Sequence, residues 1–149
     1  MIRYAALMLL IFAVRATAAP AEDHWGLGPS PEFLRAAAQV EAEEYQRALP
    51  TLEALAAADP GNADVMNLLG FTYRKMGDLD QAEASYLRAL RLDPGHVGAL
   101  EYQGELFLMQ GYVAAAEANL VKLATLCPAG CDERTSLATA IAVWKEAQD

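Results

Sequence analysis

The sequence predicts an all-α fold, a short solenoid of three helical hairpins followed by a capping helix. The first observation is an internal repeat, because a shift of 34 residues superimposes the middle of the chain on itself. The second is that apolar residues within each copy recur at i, i+3, i+4 and i+7, the spacing of an amphipathic helix. The third is that no segment alternates apolar and polar residues with the period of two that is typical of strands.

The three predicted repeats cover residues 29–62, 63–96 and 97–130. In the second repeat, Gly77 and Asp78 interrupt one helical pattern, and a second pattern follows until Pro94 ends it. Each repeat is therefore predicted to be a helical hairpin. The residues that coincide at the 34-residue shift include Gly70 with Gly104, Tyr73 with Phe107, Gly77 with Gly111, Ala82 with Ala116, Tyr86 with Leu120, and Pro94 with Pro128.

Two further features concern how the predicted helices pack. Gly70 and Gly104 lie inside first helices, where glycine costs about 1 kcal/mol relative to alanine, so we expect a close helix approach that requires them. The last repeat of an array exposes an apolar face unless another element covers it. Residues 131–149 are predicted to be a capping helix that meets this need, with an apolar stripe formed by Leu137, Ile141 and Trp144.

These residues resemble the tetratricopeptide repeat family. The second repeat carries the family's signature spacing at Leu69, Gly70, Tyr73, Gly77, Ala82, Tyr86, Ala89 and Pro94, and the third carries it at Phe107, Gly111, Ala116 and Pro128. The first repeat matches mainly in its second helix. The resemblance implies a right-handed α-solenoid whose first helices line a concave groove for a protein partner. Carried over to this chain, the groove residues are Phe33, Ala37, Val40, Asn67, Phe71, Arg74, Glu101, Glu105 and Leu108.

The predicted groove is apolar toward the first repeat and acidic toward the third. Glu101 and Glu105 lie four residues apart and share one face of their helix. Such a lining suits a partner segment with an apolar anchor and a basic flank. Two alternatives stay open: the two glutamates form an ordinary surface pair, or the N-terminal leader covers Phe33 and Phe71.

The N-terminus predicts export from the cytoplasm. Residues 1–18 combine a basic start at Arg3, a short apolar run and small residues before a predicted cleavage between Ala18 and Ala19. The run is too short for the ~20 apolar residues that cross a bilayer, so we expect no stable membrane insertion after cleavage. We therefore expect the cleaved protein in the periplasm, with a flexible leader over residues 19–28. A net charge of −9 argues against a nucleic-acid partner.

The two cysteines, Cys127 and Cys131, are predicted to form a structural disulfide, as paired cysteines in exported proteins commonly do. Free thiols, or a redox or metal role, are the alternatives. His24 and His96 are predicted to be solvated, and no motif for a cofactor, a metal or catalysis is present in the sequence. We therefore expect a scaffold or assembly factor of the cell envelope that is not an enzyme. A thiol-dependent redox protein and a structural subunit of an oligomer are the other two hypotheses.

Overall fold

A computed structural model describes residues 28–148, and these residues form seven helices without a strand. The helices are α1 (Pro31–Glu41), α2 (Tyr45–Ala58), α3 (Ala63–Met76), α4 (Leu79–Leu92), α5 (Val97–Met109), α6 (Val113–Leu126) and α7 (Asp132–Glu146). The predicted all-α fold is confirmed. The predicted signal segment 1–18 and residues 19–27 of the predicted leader lie outside the described residues. None of the seven helices is long and apolar enough to cross a membrane.

The helices form three hairpins that stack in chain order. α1 packs on α2, α3 on α4 and α5 on α6, and the second helix of each hairpin contacts the first helix of the next. The second helices begin at residues 45, 79 and 113, a spacing of 34. Because α3 also contacts both α1 and α5, the first helices lie side by side on one face of the solenoid. That face is the predicted concave groove.

The helix boundaries follow from capping residues. The side chains of Ser30, Asn62 and Asp78 accept the backbone N–H of the residue three positions later, which satisfies one free donor at each helix start. Gly77 and Gly111 follow α3 and α5 with φ values of +85° and +82°, a left-handed conformation that glycine adopts without steric cost. These residues therefore fix the starts of α1, α3 and α4 and the turns of the second and third hairpins.

The turn between α1 and α2 departs from this pattern. Glu43 stands where the other two hairpins have Gly77 and Gly111, and it adopts a φ of +59°. A residue with a Cβ atom pays about 1–2 kcal/mol in this conformation. The first hairpin turn is thus built with a strained glutamate at a position that glycine would fill without strain.

The two helical glycines permit close contacts, but with different partners. A Cβ atom on Gly70 would lie 2.8 Å from the ring of Tyr86, a fully buried residue of α4 in the same hairpin. A Cβ atom on Gly104 would lie 2.6 Å from the side chain of Leu137, which belongs to α7. In the third hairpin Leu120 replaces the tyrosine, and the capping helix supplies the side chain that packs on the glycine.

The capping helix α7 covers the end of the solenoid as predicted. Leu137 and Ile141 are buried in one cluster with Leu100, Leu108 and Leu123, and Trp144 packs on this cluster while remaining partly exposed. Lys145 Nζ lies 2.6 Å from Glu117 Oε1 and joins the outer surface of α7 to α6. The last apolar face of the array is therefore closed within the chain.

The two cysteines flank the short connection between α6 and α7. Cys127 directly follows α6, Cys131 directly precedes α7, and their side chains face each other with Cα atoms 5.8 Å apart. This separation lies within the range that a disulfide bridges. In addition, the Arg134 guanidinium donates a hydrogen bond of 3.2 Å to the Cys127 carbonyl oxygen. This hydrogen bond ties the end of α6 to α7. The disulfide itself stays a prediction.

His96 has a structural role that the sequence prediction missed. Its Nδ1 accepts the Ala99 N–H at 3.1 Å and caps α5, while its Nε2 lies 3.0 Å from Asp64 Oδ1 on α3. The side chain is only 13% exposed, so the prediction of a solvated histidine is wrong. The ring joins the second and third hairpins because both of its nitrogens have partners. No group of three or more metal-ligating side chains occurs within residues 28–148.

Glu101 is a buried carboxyl group beneath the capping helix, and the residue is 8% exposed. Burial raises its pKa, and the neighbouring Glu105 and Glu133 carboxylates act in the same direction. The Ser136 hydroxyl and the Arg74 guanidinium oppose the shift without cancelling it. The interface between α5 and α7 therefore contains an acid whose charged form is disfavoured.

Replacement of Gly70 by leucine should destabilise the array. The added side chain has no room beside Tyr86, so we expect Gly70→Leu to lower the free energy of unfolding by about 2 kcal/mol, a usual cost of overpacking. Chemical denaturation followed by circular dichroism measures this change. Ala84→Leu, on the exposed face of α4, is the matched control and should change stability little. Equal stability of the two variants would contradict the close contact.

The buried Glu101 predicts a pH dependence of stability. Because its folded-state pKa is raised, the folded protein binds more protons than the unfolded chain above the ordinary value of 4.5, so this group lowers stability as the pH rises. Glu101→Gln should therefore stabilise the protein more at about pH 8 than at about pH 5, as measured by thermal melts. The exposed Glu146→Gln is the control. A gain for Glu101→Gln that does not depend on pH would exclude this origin.

Candidate functional site

The concave face contains a cavity of about 330 Å³ between the first helices of the hairpins. Ala37 and Val40 of α1 face Leu68 and Phe71 of α3 across it. The remaining lining comes from the end of α1 and its turn, from α2, from the last turn of α3 and from α5, namely Glu41, Glu43, Tyr45, Lys75 and Tyr102. The cavity thus has an apolar interior and a charged rim.

Aromatic rings connect the three hairpins beneath this cavity. The Phe71 centroid lies 6.5 Å from that of Tyr45 on α2 and 4.9 Å from that of Tyr102 on α5. Tyr102 in turn lies 6.5 Å from the ring of Tyr86 on α4. All three pairs are tilted, a favourable arrangement for aromatic side chains. The floor of the cavity is therefore a continuous aromatic row.

Arg74 is the buried cation of the site, with 9% of the residue exposed. One guanidinium nitrogen lies 2.7 Å from Glu105 Oε2, and Nε donates a 3.4 Å hydrogen bond to the Tyr86 hydroxyl. The guanidinium carbon lies 5.3 Å from the Phe71 centroid and 5.7 Å from that of Tyr102. Each contact is of a kind that compensates a buried charge. Arg74 therefore holds the aromatic floor to the third hairpin.

Tyr102 of the floor and the buried Tyr86 behind it remain neutral at physiological pH. Burial raises the pKa of Tyr86 well above its usual value, although the Arg74 guanidinium acts against this shift. Burial also raises the pKa of Tyr102, and the Glu101 and Glu105 carboxylates add to the effect. The charged groups that line the cavity are therefore those of its rim, Glu41, Glu43 and Lys75.

The predicted groove residues fall into three groups in the structure. Val40 and Phe71 line the cavity, as does Ala37. Phe33 is partly buried on α1 outside the cavity lining, and Asn67 packs against Gly98 of α5. Among the other four predicted residues, Arg74, Glu101 and Leu108 are buried, and Glu105 is partly exposed in an ion pair with Arg74.

Three of these placements correct the predicted groove. Leu108 is 8% exposed and belongs to the core cluster that α7 completes, so it does not line a surface. Glu101 is buried beneath the same helix. Glu105 is paired with Arg74. Of the two acids of the predicted groove, Glu101 is therefore buried and Glu105 is neutralised by an internal ion pair.

The sequence prediction also missed six lining residues, namely Glu41, Glu43, Tyr45, Leu68, Lys75 and Tyr102. The repeat itself contains a signal for four of them. Leu68 and Tyr102 occupy equivalent positions 34 residues apart, and so do Glu41 and Lys75. The actual lining of α3 is the stripe through Leu68, Phe71 and Lys75, whereas the predicted stripe ran through residues 67, 71 and 74. Phe71 belongs to both stripes, but the other two residues were placed one position too early. One position is about 100° of rotation on a helix with 3.6 residues per turn, so residues 67 and 74 face different neighbours from residues 68 and 75.

Comparisons with known proteins agree with this architecture. Residues 39–101 match the tetratricopeptide repeat family model. No curated protein matches the chain in sequence. The Yersinia enterocolitica type III secretion translocator chaperone SycD is 22% identical, with a TM-score of 0.69 over 78% of this chain and 83% of that chain.

Two similar structures contain peptides. SycD in complex with a peptide of the translocator YopD is 26% identical, with a TM-score of 0.66 over 78% of this chain and 88% of that chain. The second repeat domain of human RPAP3 in complex with the HSP70 peptide SGPTIEEVD is 23% identical, with a TM-score of 0.66 over 76% of this chain and 92% of that chain. The family match therefore identifies tetratricopeptide repeats at residues 39–101, and the solved structures share the fold of the described helices.

Proposed function

We propose that this protein is a scaffold or assembly factor of the cell envelope that holds a segment of a partner protein in its concave groove. The cavity between α1, α3 and α5 is the observation that carries the proposal. Its volume of about 330 Å³ accommodates one or two side chains, and its interior is apolar and aromatic. In this proposal the protein acts by binding and performs no catalysis.

The contacts beneath the cavity support a preformed binding surface. Phe71 is held between Tyr45 and Tyr102, and Arg74 fixes this row to Glu105 on the next hairpin. A surface whose side chains are already ordered loses less conformational entropy when a partner binds. The peptide complexes of SycD and RPAP3 add support, since both proteins share this fold and hold a peptide.

The partner we propose has an apolar anchor and a basic flank. Phe71, Leu68 and Val40 offer the anchor an apolar environment. The net charge of −9 favours approach of a basic segment, because opposite charges accelerate encounter.

The cell-envelope setting rests on the N-terminal sequence. Residues 1–18 have the order of a signal peptide, and an oxidising compartment outside the cytoplasm would allow Cys127 and Cys131 to form their disulfide. The Cα separation of 5.8 Å supports this pairing. In the proposal the bridge secures the connection to α7, which closes the solenoid.

Obstruction of the cavity should abolish partner capture. Ala37→Arg places a long side chain in the cavity on a helix that accepts arginine readily. We expect a pull-down from periplasmic extract to lose at least about 90% of a partner that the native protein retains. Ala38→Arg is the matched control, since it adds the same charge at the neighbouring exposed position. Equal capture by both variants, with unchanged circular dichroism, would rule out the groove.

If the protein is exported and its disulfide forms, the intact mass of the recovered chain has one expected value. Full-length protein produced in a bacterial host should be recovered from the periplasm beginning at Ala19, and reduction should add the mass of two hydrogen atoms. Intact-mass spectrometry before and after reduction measures both. Cys127→Ser is the control that cannot form the internal bridge. Recovery of the uncleaved chain from the cytoplasm would contradict the proposed setting.

A further inference from the structure

We propose that the cavity selects a partner segment with an uncharged apolar anchor followed or preceded, within one or two positions, by a lysine or arginine that pairs with Glu41 and Glu43. This inference rests on the proposed function and specifies where the basic flank binds. It moves that flank from the third hairpin, where the sequence placed it, to the turn of the first. Three sets of contacts lead to this assignment.

The acids of the third hairpin have other partners. The Glu101 residue is 8% exposed and is hydrogen-bonded to Ser136 of α7. Glu105 lies 2.7 Å from the Arg74 guanidinium. A cation of the partner that reached this side would have to displace Arg74 from its buried position between two aromatic rings. The third hairpin therefore offers a basic flank no accessible carboxylate pair among the predicted groove residues.

The aromatic floor has its own cations. The Lys75 Nζ lies 5.5 Å from the Phe71 centroid, and the Arg74 guanidinium lies 5.3 Å from the same centroid. A ring that already interacts with two cations gains little from a third, which the first two would repel. The floor therefore favours an uncharged apolar anchor such as leucine, and it disfavours lysine or arginine in the cavity itself.

Glu41 and Glu43 are the carboxylates that remain at the rim. Both residues line the cavity, both are exposed, and no ion pair within residues 28–148 engages either of them. Because they line the same cavity as the anchor site, a basic residue one or two positions from the anchor reaches them, at about 3.3 Å per residue of extended chain. Their charge thus complements the proposed flank directly.

Local folding does not account for these two glutamates. Glu41 ends α1, and a negative charge is unfavourable at the C-terminus of a helix. Glu43 adopts the left-handed conformation that glycine occupies in the other two hairpin turns. Glutamate therefore lowers the stability of the turn at both positions, and both glutamates lie at the rim of the cavity. A role in binding accounts for glutamates at positions where they destabilise the turn.

The first experiment compares defined peptides by fluorescence anisotropy on the full mature chain. The probe is a labelled glycine–serine peptide with a central leucine pair and an adjacent lysine pair, and glutamates replace the lysines in the comparison peptide. We expect Glu41→Gln with Glu43→Gln to weaken binding of the lysine peptide about three- to tenfold, as for two exposed ion pairs. Asp80→Asn with Glu146→Gln removes the same charge elsewhere and should weaken binding less than twofold.

Glu43→Gly gives a second, independent readout. Glycine relieves the left-handed conformation, so this variant should melt at a higher temperature than the native protein while binding the lysine peptide more weakly. Opposite changes of stability and affinity separate a binding role from damage to the fold.

The outcomes distinguish this inference from the proposed function. Equal losses in the rim variant and the charge control, or equal affinity for the lysine and glutamate peptides, would overturn the assignment to Glu41 and Glu43. Failure of the lysine peptide to bind would do the same. In each case the effect of Ala37→Arg on partner capture still decides separately whether the groove binds a protein.

Discussion

The contact between Tyr86 and Gly70 is the constraint on which the arrangement of the groove depends. It brings α3 and α4 close enough to form one hairpin, and it places the Tyr86 hydroxyl where Arg74 donates to it. Arg74 then pairs with Glu105 on α5 and lies beside Phe71 and Tyr102. A contact within one hairpin is thereby linked to the stacking of the next and to the floor of the binding cavity.

The end of the solenoid shows how the same physical need is met with different residues. Leu120 replaces the tyrosine in the third hairpin, and Leu137 from α7 packs on Gly104 instead. This solution removes the last apolar face from water, which is the usual demand on a terminal repeat. It also covers Glu101 and raises the pKa of that carboxyl group. The cap therefore gains apolar burial at the cost of an acid in a poor environment.

The distribution of charge around the cavity follows from these contacts. On the third hairpin, Glu105 pairs with Arg74 of the same protein. At the first hairpin turn, Glu41 and Glu43 lie at the rim of the cavity. A partner surface of this kind is specified by a few exposed groups on a rigid support. The repeats form the support, and Glu43, which departs from the glycine of the other two hairpin turns, is one of the exposed groups.

The sequence alone was sufficient for the helices, the hairpins, the capping helix and the role of Gly70, because these depend on spacing along the chain and on local backbone geometry. It also predicted Phe71, Val40 and Ala37 for the groove, and these three residues line the cavity. It did not reveal that Leu108 and Glu101 are buried, that His96 joins two hairpins, or that Glu41 and Glu43 form the acidic rim. Those features depend on the rotation of each helix and on what α7 covers. Only packing between residues distant in sequence decides these features. If a helix rotates about its axis by one residue position, a side chain on the exposed face moves toward the core.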